Sequence, residues 1–466
     1  MTPTIAAIGC AVVIATLFHL NGDLRGSRTS LALWIPVVWL FIGATRNVTE
    51  WLQWKVTMSA GERYLEGSPL DRTVLSALIV IATIVLCMRS RRVRTILRVN
   101  GVTLAFFAYC GLTVLWSDYP EVAFKRWIRG VGDLTMVLLI LSDRSWPVAL
   151  ERVFTRVGFV VLPMSVLFIR YYPDLGRAYG LDGSLYWTGV AGGKNGLGMM
   201  CLIFGTAFSW RLMTAYDSLA NNERRNQLTI QSLMVITAIY LLVISDSKTS
   251  LGCFIVVSGL IFVTSRFSFA RKPRIVNVIV AALVFGCFGV LFLGVGSGAL
   301  EAMGRDPSLT GRTDIWRVAL SYTQNALLGS GYESFWLGDR LSSIARIGGG
   351  NQAHNGYIEI YLNLGWVGVA MLLALIVTGY RRIIRGFRRD PQVAVLKLAF
   401  FVVAIIYNCT EGAFKMMSPV WITFLLATLA LPQARPLDAG SDHHILEPYR
   451  RWFDLDGATI AENQTV

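Results

Sequence analysis

Residues 348–368 read Gly348-Gly-Gly-Asn-Gln-Ala-His354-Asn-Gly-Tyr-Ile-Glu359-Ile-Tyr-Leu-Asn-Leu-Gly-Trp-Val-Gly368, and a wholly apolar segment follows. The stretch closes the one long interval, residues 294–363, that has no apolar run of membrane length. Of the four histidines, one ends the first apolar run and two lie in the polar tail. His354 is therefore alone in a polar setting at the start of a membrane helix, and the remaining apolar sequence is interpreted as its scaffold.

Apolar runs dominate the rest of the chain. Of the 466 residues, 54% are hydrophobic, and the mean hydropathy is +0.54. Runs of about 15 to 20 apolar residues can cross a bilayer as helices, which satisfy their own backbone polar groups in lipid. The sequence predicts an all-α, polytopic membrane helical bundle of about twelve or thirteen transmembrane helices. The runs lie at 4–20, 31–44, 73–88, 99–116, 131–142, 153–169, 196–213, 228–245, 250–264, 275–293, 364–380, 393–408 and 417–431.

Basic loops determine the predicted orientation. The segments 89–94, 266–274 and 381–389 are dense in Arg and Lys, and the positive-inside rule places such loops in the cytoplasm. Counting spans from these segments places the N-terminus outside, together with a set of outer loops that includes the stretch around His354. These outer loops are 117–130, 170–195, 245–249, 294–363 and 409–416.

The same topology divides the chain into four parts. The first apolar run lacks the basic flank and the cleavage site of a signal peptide, so it is counted as a span. The polar tail has prolines and paired charges, which are typical of a mobile chain end. The parts are N-terminal transmembrane helices over 1–293, a long extracytoplasmic loop over 294–363, C-terminal transmembrane helices over 364–431 and a cytoplasmic tail over 432–466.

Charge and cysteine content argue against several other functions. The net charge is +14, but the basic residues lie in short loops between spans, so topology accounts for them and nucleic-acid binding is not predicted. The seven cysteines lie in or beside apolar runs without a Cys-x-x-Cys pattern, which predicts neither a disulfide framework nor a zinc site. The chain has no Walker motif and no carboxylate pair typical of a glycosidase.

The first candidate site is His354 with Asn355 and Glu359. If a helix begins near His354, these three residues share one side of it and form a polar stripe at the membrane surface. A histidine near neutral pKa can take a proton from an attacking hydroxyl. The alternative is that Asn355 caps the helix and the histidine is incidental.

Two lysines in short outer turns are further candidates. Lys194 follows two glycines at a predicted helix start, where backbone N–H groups and the amine can meet an anion. A snorkelling lysine at a helix end is the alternative. Lys248 lies in a polar turn between two spans, where a lysine is costly and usually has a purpose or a partner. Asp246 is the partner in the alternative interpretation, a structural ion pair.

Aromatic and basic residues are also interleaved in two outer segments. Arg305 and Arg312 lie in the long loop, and arginine forks suit phosphate oxygens, whereas Trp316 suits a sugar face. A solvated arginine is the alternative for each. The stretch from Trp116 to Arg129 suits a helix that lies in the membrane interface, with its aromatic residues as belt residues.

The set of motifs resembles the O-antigen ligase and polymerase superfamily, and within it most closely the exopolysaccharide polymerases of the ExoQ type. The resemblance covers nearly the whole chain and is firmest over residues 305–368. The motifs that carry it are Ala353-His-Asn-Gly-Tyr-Ile-Glu359 with the following Leu-Gly-Trp-Val-Gly, Gly311-Arg-Thr-Asp-Ile-Trp316, Gly193-Lys-Asn-Gly196, Ser245-Asp-Ser-Lys-Thr249 and Trp116-Ser-Asp-Tyr-Pro120.

The resemblance implies a metal-independent, inverting glycosyltransferase without a cofactor. Its substrates would be undecaprenyl-diphosphate-linked glycans on the periplasmic side of the bacterial inner membrane. By matching position, His354 would be the base or the group that orients the acceptor. Lys248 stands where the family's Ser-x-Ser-Arg-Thr turn has arginine, and lysine keeps the charge without the bidentate fork.

The site hypothesis is a single displacement at the anomeric carbon of the donor sugar. In this hypothesis an acceptor hydroxyl attacks, and cations stabilise the departing diphosphate. The predicted catalytic residues are His354, Asn355 and Glu359, the diphosphate-binding residues are Lys194, Lys248, Arg305 and Arg312, and the sugar-binding residues are Trp316 and Tyr357.

Three functions remain open from the sequence. A polymerase would join lipid-linked repeats to a growing glycan, and an O-antigen ligase would transfer the same glycan to lipid A core. A transporter for the lipid-linked glycan is the third, although transporters tend to place charges at the bilayer midplane or to contain inverted repeats. The expected partners are the lipid-linked glycan, a glycan or lipid A core acceptor, membrane lipids, and a chain-length regulator or flippase.

Overall fold

A computed structural model of the chain describes residues 2–21, 29–52, 67–180, 183–218, 221–292, 312–345 and 350–431. These ranges are mostly helical. The helices are α1 Pro3–Leu20, α2 Trp34–Ala44, α3 Val48–Trp51, α4 Pro69–Met88, α5 Ser90–Val99, α6 Gly101–Leu112, α7 Pro120–Leu141, α8 Trp146–Tyr171, α9 Pro173–Gly176, α10 Lys194–Ser218, α11 Asn221–Ile244, α12 Lys248–Arg266, α13 Pro273–Phe292, α14 Arg312–Ser321, α15 Gly338–Ala345, α16 Gly356–Gly386, α17 Pro391–Tyr407 and α18 Pro419–Thr428.

The predicted fold class, a polytopic helical membrane protein, is confirmed. The predicted apolar runs fall mainly on these helices, although the run 99–116 extends over the break between α5 and α6 and the run 417–431 extends beyond both ends of α18. By length and composition, 7 of the described helices can cross a membrane, or 8 if α5 and α6, which meet at 89°, form one bent span. The predicted number of spans is higher because it counted shorter apolar helices such as α2, α17 and α18, which are 10–17 residues long.

The centre of the bundle contains α8, α10, α17 and α18. Phe154 of α8 packs on Phe400 of α17 with ring centroids 5.0 Å apart, and Phe159 of α8 stacks on Phe208 of α10 at 5.7 Å. Within their most apolar windows, 67% of α8 and 72% of α10 are buried, compared with 11% of α1 and 22% of α4. Because α1 and α4 are largely apolar and mostly exposed, they lie at the lipid-facing periphery of the bundle.

A break at Gly365 divides α16 into two helices. Gly365 has φ 64°, and a Cβ atom there would lie 2.3 Å from the backbone oxygen of Leu327. The amide of Trp366 donates to the carbonyl of Ala326 at 2.9 Å, so the loop before α15 caps the second helix. Residues 366–386 are about 31 Å long at 1.5 Å per residue, which matches a hydrocarbon core of about 30 Å. The first helix, residues 356–364, therefore extends beyond the span.

The loops that the sequence places on the outer face contact one another. The hydroxyls of Thr249 and Thr410 lie 3.0 Å apart and join the loop 245–249 to the loop 409–416. Contacts between the other outer segments place the five loops and the chain start on one face of the bundle. These contacts join Lys194 to Asp246, Ser117 to Ser334, Arg312 to Glu411, and the Tyr172 hydroxyl to the carbonyl of Pro3.

The predicted cytoplasmic segments meet at the other end of the helices. Arg89 lies 3.7 Å from Asp143, and Arg382 donates to the side-chain oxygen of Asn100 at 2.7 Å. The Asn100 amide in turn donates to the carbonyl of Ala430 at 2.9 Å. The first contact joins the end of α4 to the end of α7, and the Asn100 bonds join the ends of α16 and α18 to the turn between α5 and α6.

One short hairpin departs from the all-α expectation. Strands β1 Arg177–Tyr179 and β2 Leu185–Trp187 pair antiparallel within the outer loop 170–195. Strands of three residues are too short to produce the period-two pattern by which a strand is recognised in a sequence. The hairpin is nevertheless stabilised by a side-chain contact, because the Arg177 guanidinium lies 4.9 Å from the centre of the Trp187 ring.

Candidate active site

His354 lies just before the first turn of α16, and its backbone is in the left-handed region with φ 51°. The helix begins at Gly356, with Asn355 as its N-cap. The predicted polar stripe of His354, Asn355 and Glu359 along one helix side is therefore wrong, because His354 precedes the helix. A residue other than glycine at positive φ is costly and often marks a functional position.

The histidine faces a carboxylate that comes from a different part of the chain. His354 Nδ1 lies 3.3 Å from Glu411 Oε2, and Arg312 Nη2 lies 3.3 Å from Glu411 Oε1. Arg312 also donates to the carbonyl of Thr410. An ionised carboxylate can only accept hydrogen bonds, so this contact favours the tautomer with the proton on Nδ1 and the lone pair on Nε2.

Glu411 was not predicted from the sequence. It lies in the loop 409–416, which is a short gap between two apolar runs, and its side chain is 9% exposed. A carboxylate at the outer mouth of a membrane bundle is the signal that could have identified it, since such groups usually have a partner. The separation of 57 residues from His354 hides the pairing from any local motif.

Asn408 shapes the loop that carries Glu411. Its side-chain oxygen accepts from the amides of Ala413 and Phe414 at 2.8 and 2.9 Å. The carbonyl of Asn408 accepts from the amide of Gly356 at 2.8 Å, so the loop is bonded directly to the start of α16. A Cβ atom on Gly356 would lie 1.9 Å from Asn408 Oδ1. The approach of the two segments therefore requires glycine at position 356.

Asn355 works as a helix cap and as a second link to this loop. Its side-chain oxygen accepts from the amides of Tyr357 and Ile358 at 3.0 and 3.1 Å, and its amide donates to the carbonyl of Cys409 at 3.1 Å. These are the bonds expected of an N-cap residue. The geometry supports the alternative interpretation of Asn355, a structural residue that holds His354 beside Glu411.

Glu359 is held by two donors. Its Oε2 accepts from Trp336 Nε1 at 2.6 Å, and its Oε1 accepts from the amide of Ala353. Because Ala353 directly precedes His354, Glu359 holds the backbone on the N-terminal side of the histidine. Both carboxylate oxygens of Glu359 thus accept hydrogen bonds from protein groups beside His354. A catalytic role for Glu359 stays a prediction.

The two predicted sugar-binding aromatics also contact this loop. Trp316 Nε1 donates to the carbonyl of Ala353 at 2.7 Å. The Tyr357 hydroxyl donates to the carbonyl of Ile405 at 3.0 Å, and its ring packs edge-on against Phe414. Since these hydrogen-bonding groups point into the protein, any sugar contact would use the ring faces alone.

The two predicted lysines share one acid. Asp246 lies 3.1 Å from Lys248 Nζ and 3.7 Å from Lys194 Nζ. Each lysine is the first residue of its helix, α10 and α12, as the sequence predicts for Lys194. Their side chains are 44% and 42% exposed, so both ammonium groups remain open to solvent. The ion pair predicted as the alternative for Lys248 is present, and it leaves room for an anion.

The lysine turn and the histidine site are neighbours. The hydroxyl of Thr249, next to Lys248, lies 3.0 Å from that of Thr410, next to Glu411. The structure thus brings together His354, Arg312, Lys248 and, through Asp246, Lys194. Arg305 lies outside the described residues.

A second acid, Glu333, lies in the loop that covers this face. The carbonyl of Glu333 accepts from the Arg126 guanidinium. Burial raises the pKa of the Glu333 carboxyl, and the charges of Arg126 and Lys415 oppose the shift. Nearby, Asp118 lies 2.8 Å from Arg340, so the stretch that begins at Trp116 is bonded to the long loop.

The residues around His354 could form a proton-transfer site beside an anion-binding site. An imidazole with a carboxylate on Nδ1 can accept a proton at Nε2, and exposed cations nearby can stabilise developing negative charge. Among the residues that the structure describes, no group of three His, Cys, Asp or Glu side chains is placed to hold a metal ion.

Comparison with known proteins agrees with the sequence resemblance. Residues 233–373 match the family described as O-Antigen ligase. The exopolysaccharide production protein ExoQ of Rhizobium meliloti is 26% identical over 350 residues, which cover 71% of this chain and 77% of ExoQ. A Rickettsia conorii protein named as a polysaccharide ligase is 24% identical over 367 residues, which cover 72% of this chain and 81% of that protein.

The matched family region contains most of the site. It begins in α11 and ends in α16, so it includes Lys248, Arg312 and His354, but it stops before Glu411. The chain is therefore a multi-pass membrane protein that is similar to O-antigen ligases over residues 233–373 and to ExoQ over most of its length.

Proposed function

We propose that this protein is a glycosyltransferase of the bacterial inner membrane that polymerises undecaprenyl-diphosphate-linked oligosaccharide repeats into exopolysaccharide or O-antigen on the periplasmic side. The reaction inverts the anomeric centre and needs no metal. The observation that carries the proposal is the His354–Glu411–Arg312 cluster next to the two exposed lysines. The similarity to ExoQ favours a polymerase.

The chemical step is one displacement. The acceptor hydroxyl gives its proton to His354 Nε2 while its oxygen forms a bond to the anomeric carbon of the donor sugar. The bond from that carbon to the diphosphate oxygen breaks, and its electron pair leaves with the diphosphate. Glu411 accepts the Nδ1 proton in a hydrogen bond and stabilises the imidazolium that forms, which is the role of the acid in a catalytic triad.

Cations stabilise the leaving group. Lys194 and Lys248 lie near the site with side chains that are 44% and 42% exposed, so we assign them to the diphosphate. Arg305 and Arg312 are proposed for the same anion. Since Arg312 also pairs with Glu411, its second task is to hold that carboxylate beside His354. Fixed charges aimed at developing negative charge usually lower the activation barrier more than any other effect in such catalysis.

The remaining predicted residues support the loop. Asn355 and Glu359 hold the backbone on the two sides of His354. Trp316 and Tyr357 are proposed to present ring faces to the sugars. The outer ends of the helices would admit the polyprenyl chain from the membrane lipids, and a chain-length regulator or a flippase is proposed as a protein partner.

The test is reconstitution of the purified protein with undecaprenyl-diphosphate oligosaccharide, with and without lipid A core. We expect a ladder of repeats without lipid A core, and we expect His354→Ala to abolish it. The matched control is His19→Ala, because His19 is exposed at the end of α1. A ladder that persists in His354→Ala would show that the base assignment is wrong.

A second function, O-antigen ligase, is favoured by the family region and by the Rickettsia relative. The donor and the His354 chemistry would be the same, but the acceptor would be lipid A core. In the same reconstitution a ligase gives a single transfer that depends on lipid A core and forms no ladder. Absence of transfer in both mixtures by a folded protein would favour transport of the lipid-linked glycan.

A further inference from the structure

A cavity of about 460 Å³ lies at the end of the bundle opposite to His354. It is formed by the C-terminal end of α16, the start of α17 and the segment after α18. Because α16 begins beside His354 and runs to Gly386, the cavity is separated from the candidate active site by about one membrane thickness. We call it the basic cavity, after Arg385, Arg389 and Lys397, which line it.

The cations of the basic cavity are available to a ligand. Arg385 and Arg389 are exposed, and neither guanidinium has an acidic partner among the residues that the structure describes. Lys397 Nζ lies 5.3 Å from the centre of the Trp146 ring and 3.4 Å from the carbonyl of Leu429, and Asp390 acts on it electrostatically from beyond ion-pair distance. A lysine ammonium has three donors, so Lys397 can bond further groups.

Other charged groups at the cavity already have structural tasks. Arg382 donates to the Asn100 side chain at 2.7 Å and to the carbonyl of Val99 at 2.6 Å, which ties α16 to the turn before α6. Asp390, the acid that lines the cavity, accepts from the amide of Val393 at 3.0 Å as the N-cap of α17. Four basic side chains and one acidic side chain line the cavity, so the net charge of its lining is positive.

The remaining wall is apolar. Ile383, Leu429 and Leu431 line the same cavity as the cations. An inorganic phosphate ion would use the cations and leave this wall without a partner. A phospholipid satisfies both parts, because its phosphodiester meets the cations and the first carbons of its acyl chains meet the apolar side chains. Basic pockets between transmembrane helices are suited to anionic lipid headgroups.

We propose that the basic cavity binds the phosphodiester headgroup of an anionic phospholipid. Arg385 and Arg389 hold the phosphate oxygens, and Lys397 donates from the bottom of the cavity. The bound lipid joins α16 to α17 and to the end of α18, so it stabilises the helices whose other ends carry His354 and Glu411. This site is distinct from the proposed diphosphate site, which lies on the opposite face.

The test is native mass spectrometry of the detergent-solubilised full chain, titrated with phosphatidylglycerol and, in parallel, with phosphatidylcholine. The variant is Arg385→Gln with Arg389→Gln. The matched control is Arg381→Gln with Arg388→Gln, because these arginines are exposed at the same helix end but do not line the cavity. We expect the cavity variant to weaken phosphatidylglycerol binding about tenfold, the control to bind as the wild type does, and phosphatidylcholine to bind weakly to all three.

A second variant and a competition distinguish the remaining outcomes. Lys397→Met keeps the stem of the side chain and removes the charge, and we expect it to weaken binding as well. Equal binding by wild type, cavity variant and control would overturn the proposal. Displacement of the lipid by inorganic phosphate in the wild type would overturn it too, since the ligand would then be a free anion. Phosphatidylglycerol should also raise the unfolding temperature of the wild type, but not that of the cavity variant.

Discussion

At the scale of single residues, the site depends on a contact between two loops that lie far apart in the sequence. His354 supplies an imidazole, and Glu411 fixes its tautomer from the loop after α17. Arg312 holds the other carboxylate oxygen. The acid is thus the residue through which the histidine and the arginine act together, and replacing it should affect the proton transfer more than substrate binding.

We expect Glu411→Gln to lower kcat about a hundredfold with a small change in KM, because the amide keeps the size but cannot stabilise an imidazolium. The measurement is the initial rate of glycan transfer against donor concentration in proteoliposomes. The control is Asp314→Asn, an exposed acid paired with Arg317. Unchanged kcat in Glu411→Gln would contradict the proton-transfer role.

We expect Lys248→Gln to raise KM for the lipid-linked donor about tenfold or more, because a charge-assisted contact to phosphate is lost. Lys248→Arg should retain most of the activity, since it keeps the charge. The measurement is the initial rate against donor concentration. Lys125→Gln is the control, because Lys125 pairs with Glu121 on α7, away from this cluster. If Lys248→Gln and the control have the same KM, Lys248 only neutralises Asp246.

The sequence predicted several of these residues, but not their arrangement. His354, Lys194 and Lys248 were identifiable because each is a polar residue at the mouth of an apolar helix, and Arg312 because it lies in the long polar loop. Glu411 was missed because nothing within a few residues of it indicates that it pairs with a histidine in another loop. The stripe along α16 was wrong because the sequence does not reveal at which residue a helix starts when a left-handed residue precedes the cap.

At the scale of elements, the break in α16 sets the height of the site above the membrane. The loop 326–331 is hydrogen-bonded to the break, and Tyr109 of α6 donates to the carbonyl of Leu364 at 2.9 Å. These contacts supply partners for backbone groups that a continuous helix would have paired internally. The apolar run predicted to begin at 364 coincides with the break, so composition located the start of the span but could not show that a helix precedes it.

We expect Gly365→Ala to lower the unfolding temperature by several degrees and to reduce turnover, because its Cβ meets a backbone oxygen and its φ is positive. Gly259→Ala is the control, since a Cβ on that helical glycine has no atom within 4 Å. The measurements are thermal unfolding in detergent and transfer activity. Equal unfolding temperatures for the two variants would contradict the required break.

At the scale of the whole molecule, the bundle has two chemically different ends. One end collects the outer loops around His354, and the other carries most of the arginine-rich segments and the basic cavity. Hydropathy and loop charge predicted this division, because both follow from solvation of helices and loops by lipid and water. Which helices occupy the centre could not be predicted, since α1 and α8 are both strongly apolar and only packing separates them.

The sidedness is testable by labelling. We expect Asp314→Cys to react with a membrane-impermeant maleimide in intact spheroplasts, and Arg388→Cys to react only after lysis, because the two exposed positions lie at opposite ends of the bundle. The unmodified chain, with its seven cysteines, gives the background. Labelling of Arg388→Cys in intact spheroplasts would reverse the proposed orientation.

The position of Glu411 along the chain also bears on biogenesis. Among the described helices, only α18 follows it. A nascent chain that has left the ribosome through α17 already contains the histidine and both lysines, but not yet the loop with Glu411. Domains and helices are made from the N-terminus onward, so the proposed proton-transfer site is complete only after the loop that carries Glu411 has been inserted. The order of translation thereby delays the proposed activity until this late step.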